Sequence, residues 1–158
     1  MKPANPVRRR LLQYLGGAGA LALLPQARAH HTETHFEDRS EHQVVFQCNK
    51  ADPEYIGHIL FAVGELIRKY GDNVEVIVVC FGPGIHLLAK NPQRPVAKEH
   101  QERAASLVAY GVSFHACGNT LKSLKWTEAD LLPFAKMVPI GSEDLMLLQE
   151  KGFAYISW

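Results

Sequence analysis

What this chain is short of narrows it quickly. It has three cysteines in 158 residues, an odd number with no C-x-x-C, so neither a disulfide scaffold nor a zinc ribbon is indicated. G-x-G-x-x-G and G-x-x-x-x-G-K-[ST] are both missing, which argues against dinucleotide and nucleotide cofactors. G-x-S-x-G is missing too, and with it the nucleophile elbow of an α/β hydrolase. The apolar run from Leu11 to Leu24 is too short, and too interrupted by Gly16, Gly17 and Gly19, for a comfortable membrane span. Positive charge is scarce beyond the first residues. Residues 1–29 hold five of the 17 basic residues and no acid, leaving 12 against all 16 acidic residues, a net −4 for the rest. A weakly acidic domain without a basic run has no electrostatic footprint for nucleic acid.

The chain is 47% hydrophobic and 21% charged, which fits one globular domain with an ordinary core. Residues 1–29 read as a cleavable export signal. Arg8-Arg9-Arg10 precedes the apolar run, and Ala27-Arg28-Ala29 supplies a small-x-small cleavage pattern. Arg8-Arg9-x-Leu11-Leu12 is similar to a bacterial twin-arginine signal. A general secretory signal and an uncleaved amphipathic anchor are the competing readings. The expectation is a periplasmic protein beginning near His30, with no stable membrane insertion once the signal is removed. Residues 30–42, HHTETHFEDRSEH, form a polar, histidine-rich segment expected to be mobile, with no spacing that closes a metal site.

From residue 43 to 158 strand and helix signals alternate, as in an α/β fold with a mainly parallel sheet. Strands are predicted at Val44–Cys48, Val74–Cys80, 112–116, 136–140 and 153–158. Asp52-Pro53 caps a helix carrying Ile56, Ile59, Leu60 and Val63, which Gly71 ends. Further helices are predicted over about 98–110, after Cys117, after Thr127, and over 143–151 behind a Ser142 cap. Pro139 marks its strand as an edge or a strand end.

Cys48, Cys80 and Cys117 each close one of the first three strands. In open parallel sheets the functional crevice lies beyond the strands' carboxyl ends, at the point where strand order reverses. All three thiols should therefore share one edge with Asn49, Lys50, His86, His115 and Asn119. Two of them stand near bonding distance if their strands are neighbours and their side chains face alike, strands being about 4.8 Å apart. The simpler reading of Cys48 and Cys80 is small apolar core filling. Cys117 differs: it ends a strand and starts a helix, where free N–H groups and the helix dipole favour thiolate. His115, two residues back, points to the same face, and Lys122 follows about a turn later. The loop Asn49-Lys50-Ala51-Asp52 is too short to cradle phosphate as a flavodoxin-like loop does.

CNKADPEY, FGPGIHLLAKNP, YGVSFHACGNTLKSL and GFAYISW together closely resemble the DsrE/DsrF-like family of small α/β sulfur-relay proteins, in its stand-alone branch with an ACGNT cysteine. The resemblance covers roughly Gln43 to Trp158. It implies a three-layer α/β/α fold with a five-stranded sheet and homo-oligomers such as trimers or hexamers; no cofactor or metal is expected from the motifs above. It also implies a persulfide carried on Cys117 between a protein thiol donor and a protein thiol acceptor. Gly118 and Asn119 are expected to steady the anion through backbone N–H groups and the Asn119 amide, with His115 as electrostatic help or a packed structural histidine. Such exchange calls for an exposed thiol.

Two other readings stand beside sulfur relay. One is an oligomeric module holding a small ligand or metal through Cys117, His86 and His115 without turnover. The other is a redox or interaction protein in which Cys117 pairs with Cys48 or Cys80.

Overall fold

The structure is a computed structural model and describes residues 40–158. The expected export signal (1–29) and residues 30–39 lie outside the described residues. Among those described, no helix is long and apolar enough to cross a membrane.

Five strands, β1 (His42–Cys48), β2 (Val74–Cys80), β3 (Ser113–Cys117), β4 (Ala135–Val138) and β5 (Ala154–Ile156), form one sheet in the order β4-β3-β2-β1-β5. Every pairing is parallel. The helices are α1 (Pro53–Tyr70), α2 (Lys98–Val108), α3 (Gly118–Leu124) and α4 (Gly141–Glu150), with 3-10 segments at Gly71–Asn73, Gly82–Leu88 and Glu128–Asp130. Pro139 directly follows the edge strand β4, where the missing N–H costs no ladder bond.

Local chemistry sets these boundaries. Asp52 Oδ1 accepts from the Tyr55 N–H at 2.8 Å and Pro53 opens α1. Ile56, Ile59, Leu60 and Val63 of α1 are buried on the sheet, and Gly71 closes the helix at φ +56°. Thr127 and Asp130 form a reciprocal capping box around the short 3-10 turn. The polar segment proves shorter than expected, because His42 already pairs with Val74 in β1. Glu41 is held as well: its N–H donates to Asn73 Oδ1 at 3.1 Å, and Asn73 Nδ2 donates back to Glu41 Oε2 at 2.8 Å.

Strand alternation divides the apolar residues into two cores. Helices α1, α2 and α3 cover one face of the sheet, packing on Phe46, Val78, Phe114 and Ala116. The chain then returns from β4 to β5 through α4, which covers the other face with Leu145 and Leu148 over Val45, Ile77 and Val79. The result is a three-layer α/β/α sandwich with one crowded face and one thinly covered face. The reversal of strand order falls between β1 and β5, so Cys117 at the end of β3 lies away from it.

Candidate functional site

The three thiols do share the carboxyl edge of the sheet, yet they do not share a face. Cys48 and Cys80 are register partners on neighbouring strands, both free and 0% exposed, within the crowded core. A hydrogen bond to Cys48 and then burial push the Cys80 thiol well above its ordinary range. Cys117 shares its face with Ser113 and His115, beneath α4, so the sheet itself separates it from the other two. Pairing of Cys117 with Cys48 or Cys80 is thereby excluded in this fold, because a disulfide requires Cβ atoms that point toward each other.

Cys117 passes from β3 into α3 without an intervening residue. Its sulfur accepts the Gly141 N–H, the first residue of α4, at 3.2 Å. Burial opposes ionisation here. The Thr120 hydroxyl and the backbone N–H groups of Gly141, Thr120 and Asn119 outweigh it and hold the thiol below its ordinary range. Each hydrogen bond to a charged group is worth roughly 1.5–3 kcal/mol, so several together overcome the desolvation of one partly shielded thiolate. The expected exposed thiol is corrected: Cys117 is 5% exposed, because α4 lies directly over it. A Cβ at Gly141 would come within 3.1 Å of Cys117 Cβ and 3.3 Å of Phe81 Cβ, a tight fit that either neighbour would have to yield to by a few tenths of an ångström.

The residues expected around Cys117 are divided by this geometry. The Asn119 backbone N–H helps lower the thiol and also donates to Pro139 O at 3.2 Å. Gly118 supplies no donor to the sulfur; it lets α3 start against β4, where a Cβ would meet the carbonyls of Val138 and Pro139 at 3.1 Å. His115 is buried beside Cys117, with Nδ1 lying 2.6 Å from Asp144 Oδ2 in the first turn of α4. Lys122 is exposed and does not act on the thiol. At the other end of the edge, the Asn49 N–H donates to Tyr55 Oη at 3.2 Å, and Lys50 lies over the Tyr55 ring.

Thr120, Gly141 and Asp144 escaped the sequence reading. Thr120 stood within the motif, three residues after the cysteine, at the spacing at which a helix-capping partner returns. Gly141 and Asp144 come 24 and 27 positions after Cys117, and no local pattern links them to it. The helix expected to begin behind Ser142 instead starts at Gly141, with Ile140 in the cap position. The thiol takes the N–H that a side-chain cap would otherwise serve.

His86 sits in the Gly82–Leu88 turn, 2% exposed, its ring edge-on to Trp126 at 5.1 Å. It lines a cavity of about 350 Å³ together with Gly82, Arg94, Asn119, Thr120 and Ser123. It is not among the groups that act on the Cys117 thiol. Among the described residues no group of three or more His, Cys, Asp or Glu side chains could hold a metal ion.

A hydrogen-bonded thiol held below its ordinary range at the carboxyl edge of a parallel sheet is suited to thiolate chemistry. The chain is a member of the DsrE/DsrF-like family, which it matches over residues 42–158. Among solved structures it is similar to MTH1491 of Methanobacterium thermoautotrophicum, a protein of unknown function, with 25% identity and a TM-score of 0.67. That alignment covers 75% of this chain and 100% of the other. The YchN protein of E. coli shares the fold, with a TM-score of 0.60 at 11% identity, over 74% of this chain and 99% of YchN. No curated protein matches the chain.

Proposed function

We propose that this protein is a periplasmic sulfur carrier that holds sulfane sulfur as a persulfide on Cys117. The observation that supports the reading is the set of hydrogen bonds on that sulfur, which favour its anion and which neither of the other cysteines receives. In the loading step the start of α4 lifts from Cys117, which is 5% exposed with it in place, and the thiolate attacks the outer sulfur of a donor persulfide. The donor S–S bond breaks, and the donor thiolate leaves with the bonding electrons. In the unloading step an acceptor thiolate attacks that same outer sulfur, and Cys117 departs as thiolate. A leaving thiol of low pKa departs faster, so the Gly141 and Thr120 bonds assist this second step. Membership of the family supports the reading, as does its general tendency to oligomerise. The proposal includes a homo-oligomer, trimer or hexamer, that receives sulfur from one protein thiol and passes it to another.

The test is intact mass spectrometry of the exported protein after brief polysulfide exposure, followed by alkylation and peptide mapping. A reductant-labile gain of whole sulfur atoms on the Cys117 peptide alone is the expected result. No gain there, under conditions where a control low-pKa thiol is loaded, would overturn it.

A further inference from the structure

Cys117 reacts only when something can reach it, and the first turn of α4 stands in the way. Two polar contacts join that turn to β3. The Gly141 N–H donates to the Cys117 sulfur at 3.2 Å, and the Asp144 carboxylate lies 2.6 Å from His115 Nδ1. The two residues on β3 are two positions apart and so share a face of the sheet. Gly141 and Asp144 stand at the two ends of one helical turn, so the contacts clamp that turn at both ends. The His115 and Asp144 side chains are largely shielded from water, and a hydrogen bond in such surroundings keeps more of its strength than one at the surface.

The flanking segments are held in other ways. Beyond the first turn, Leu145 and Leu148 pack on Val45, Ile77 and Val79. Before it, the Pro139 carbonyl is fixed by the Asn119 N–H at 3.2 Å. Between these anchors Ile140 occupies the cap position without a side-chain cap bond, and Ile140, Ser142 and Glu143 are all exposed. The N–H groups of a first turn have no partners within the helix, so this turn can open locally at less cost than the helix body. The turn is free to release while the rest of α4 stays on the sheet.

We propose that the His115–Asp144 pair is a latch: it holds the first turn of α4 over the sulfur, and its release admits the sulfur of a partner thiol or persulfide. This rests on the persulfide-carrier reading and names what regulates access to that site. His115 and Asp144 are positioning residues, and neither is among the groups that act on the thiol. Reactivity then divides into two separable factors. The donors on the sulfur set how much of it is thiolate, and the latch sets how often that thiolate can be reached. Because closed molecules far outnumber open ones, the pH midpoint of reaction reports the closed thiol. The plateau rate above that midpoint reports the open fraction.

The test is the rate at which iodoacetamide alkylates Cys117 in the full chain, read by peptide mapping from pH 6 to 10. Asp144→Ala should raise the plateau rate by about tenfold or more, the size of one lost hydrogen bond to a carboxylate. It should move the midpoint less than Thr120→Val does. Asp144→Asn keeps an acceptor for His115 and should fall between Asp144→Ala and wild type; it also carries the test if the alanine variant does not fold. Cys80→Ser weakens the opposite core and leaves the latch in place, so it should not accelerate Cys117. Circular dichroism checks that each variant is folded. An unchanged plateau in the Asp144 variants, or equal acceleration by Cys80→Ser, overturns the proposal. Polysulfide loading separates this failure from failure of the carrier reading. Loading of wild type with no effect at Asp144 removes only the latch, whereas faster alkylation in Asp144→Ala with no loading in either protein keeps the latch and removes the carrier.

Discussion

On the face covered by α1, α2 and α3, Cys48 and Cys80 lie side by side in a dry core, and the Cys80 thiol is pushed up. On the face covered by α4 alone, Cys117 ends the next strand over, 5% exposed against 0% for the other two, and is pulled down. Burial pushes both the Cys80 and the Cys117 thiol up, so burial alone does not set the direction. What differs is the supply of donors. The crowded face offers each of the paired thiols little but another thiol and hydrocarbon. The thin face offers a helix start, whose first N–H groups have no partner within the helix, and a threonine hydroxyl.

The comparison breaks most completely at the sulfur itself. Cys117→Ser should abolish sulfur loading while changing stability by no more than about 1 kcal/mol, since the hydroxyl can still accept the Gly141 N–H. Mass spectrometry paired with a denaturant melt checks both halves, and loading that survives would move the site elsewhere. Cys80→Ser should do the reverse. It places a hydroxyl in a fully buried apolar position at a cost of roughly 1–3 kcal/mol, with loading per folded molecule unchanged. Loss of loading in this variant would make the paired thiols part of the site.

Titration sharpens the contrast. The pH midpoint for alkylation of Cys117 should fall below the ordinary thiol value of about 8.5, and Thr120→Val should move it up by an amount that the wild-type curve resolves. Stability follows with opposite signs on the two faces. Folding favours the Cys117 thiolate, so that contribution is present above about pH 8.5 and is lost as pH falls through the lowered folded value. Folding favours the protonated Cys80 thiol, so its contribution is present below about pH 8.5 and is lost as pH rises. Urea melts from pH 6 to 10 on wild type and Cys117→Ser should show the first slope only in the wild type; identical curves would contradict it. The smallest effect is expected at the neighbouring pair. Asp144→Asn should cost about 1–2 kcal/mol through the His115 contact, yet move the Cys117 midpoint less than Thr120→Val does. A larger shift would make His115 part of the electrostatics of the thiol rather than of its packing.

The periodic parts of the chain were readable in advance. Asp52-Pro53, the run Ile56 to Val63 and Gly71 each carry their own signal, and the continuous apolar strand Val74–Cys80 announces a sheet covered on both faces. Cys117 was readable too, because strand, thiol and helix start are contiguous. The donors that matter most were not. Gly141 reaches the sulfur only because β4 pairs beside β3 and the chain then turns back across the sheet, a fact of topology rather than of local pattern. The sorting of Cys117 from Cys48 and Cys80 was hidden for a related reason. Cys80 is opposite Ala116, so the β2–β3 register places Cys117 one step further along and on the other face.

That 24-residue separation between thiol and donor also dates the site in the life of the chain. During synthesis Cys117 emerges before Gly141, and a domain folds as a unit. Until the segment through α4 is laid across the sheet, Cys117 can draw only on the donors of its own helix start, Asn119 and Thr120, and lacks the Gly141 N–H. Its full set of donors is completed only by the last crossover.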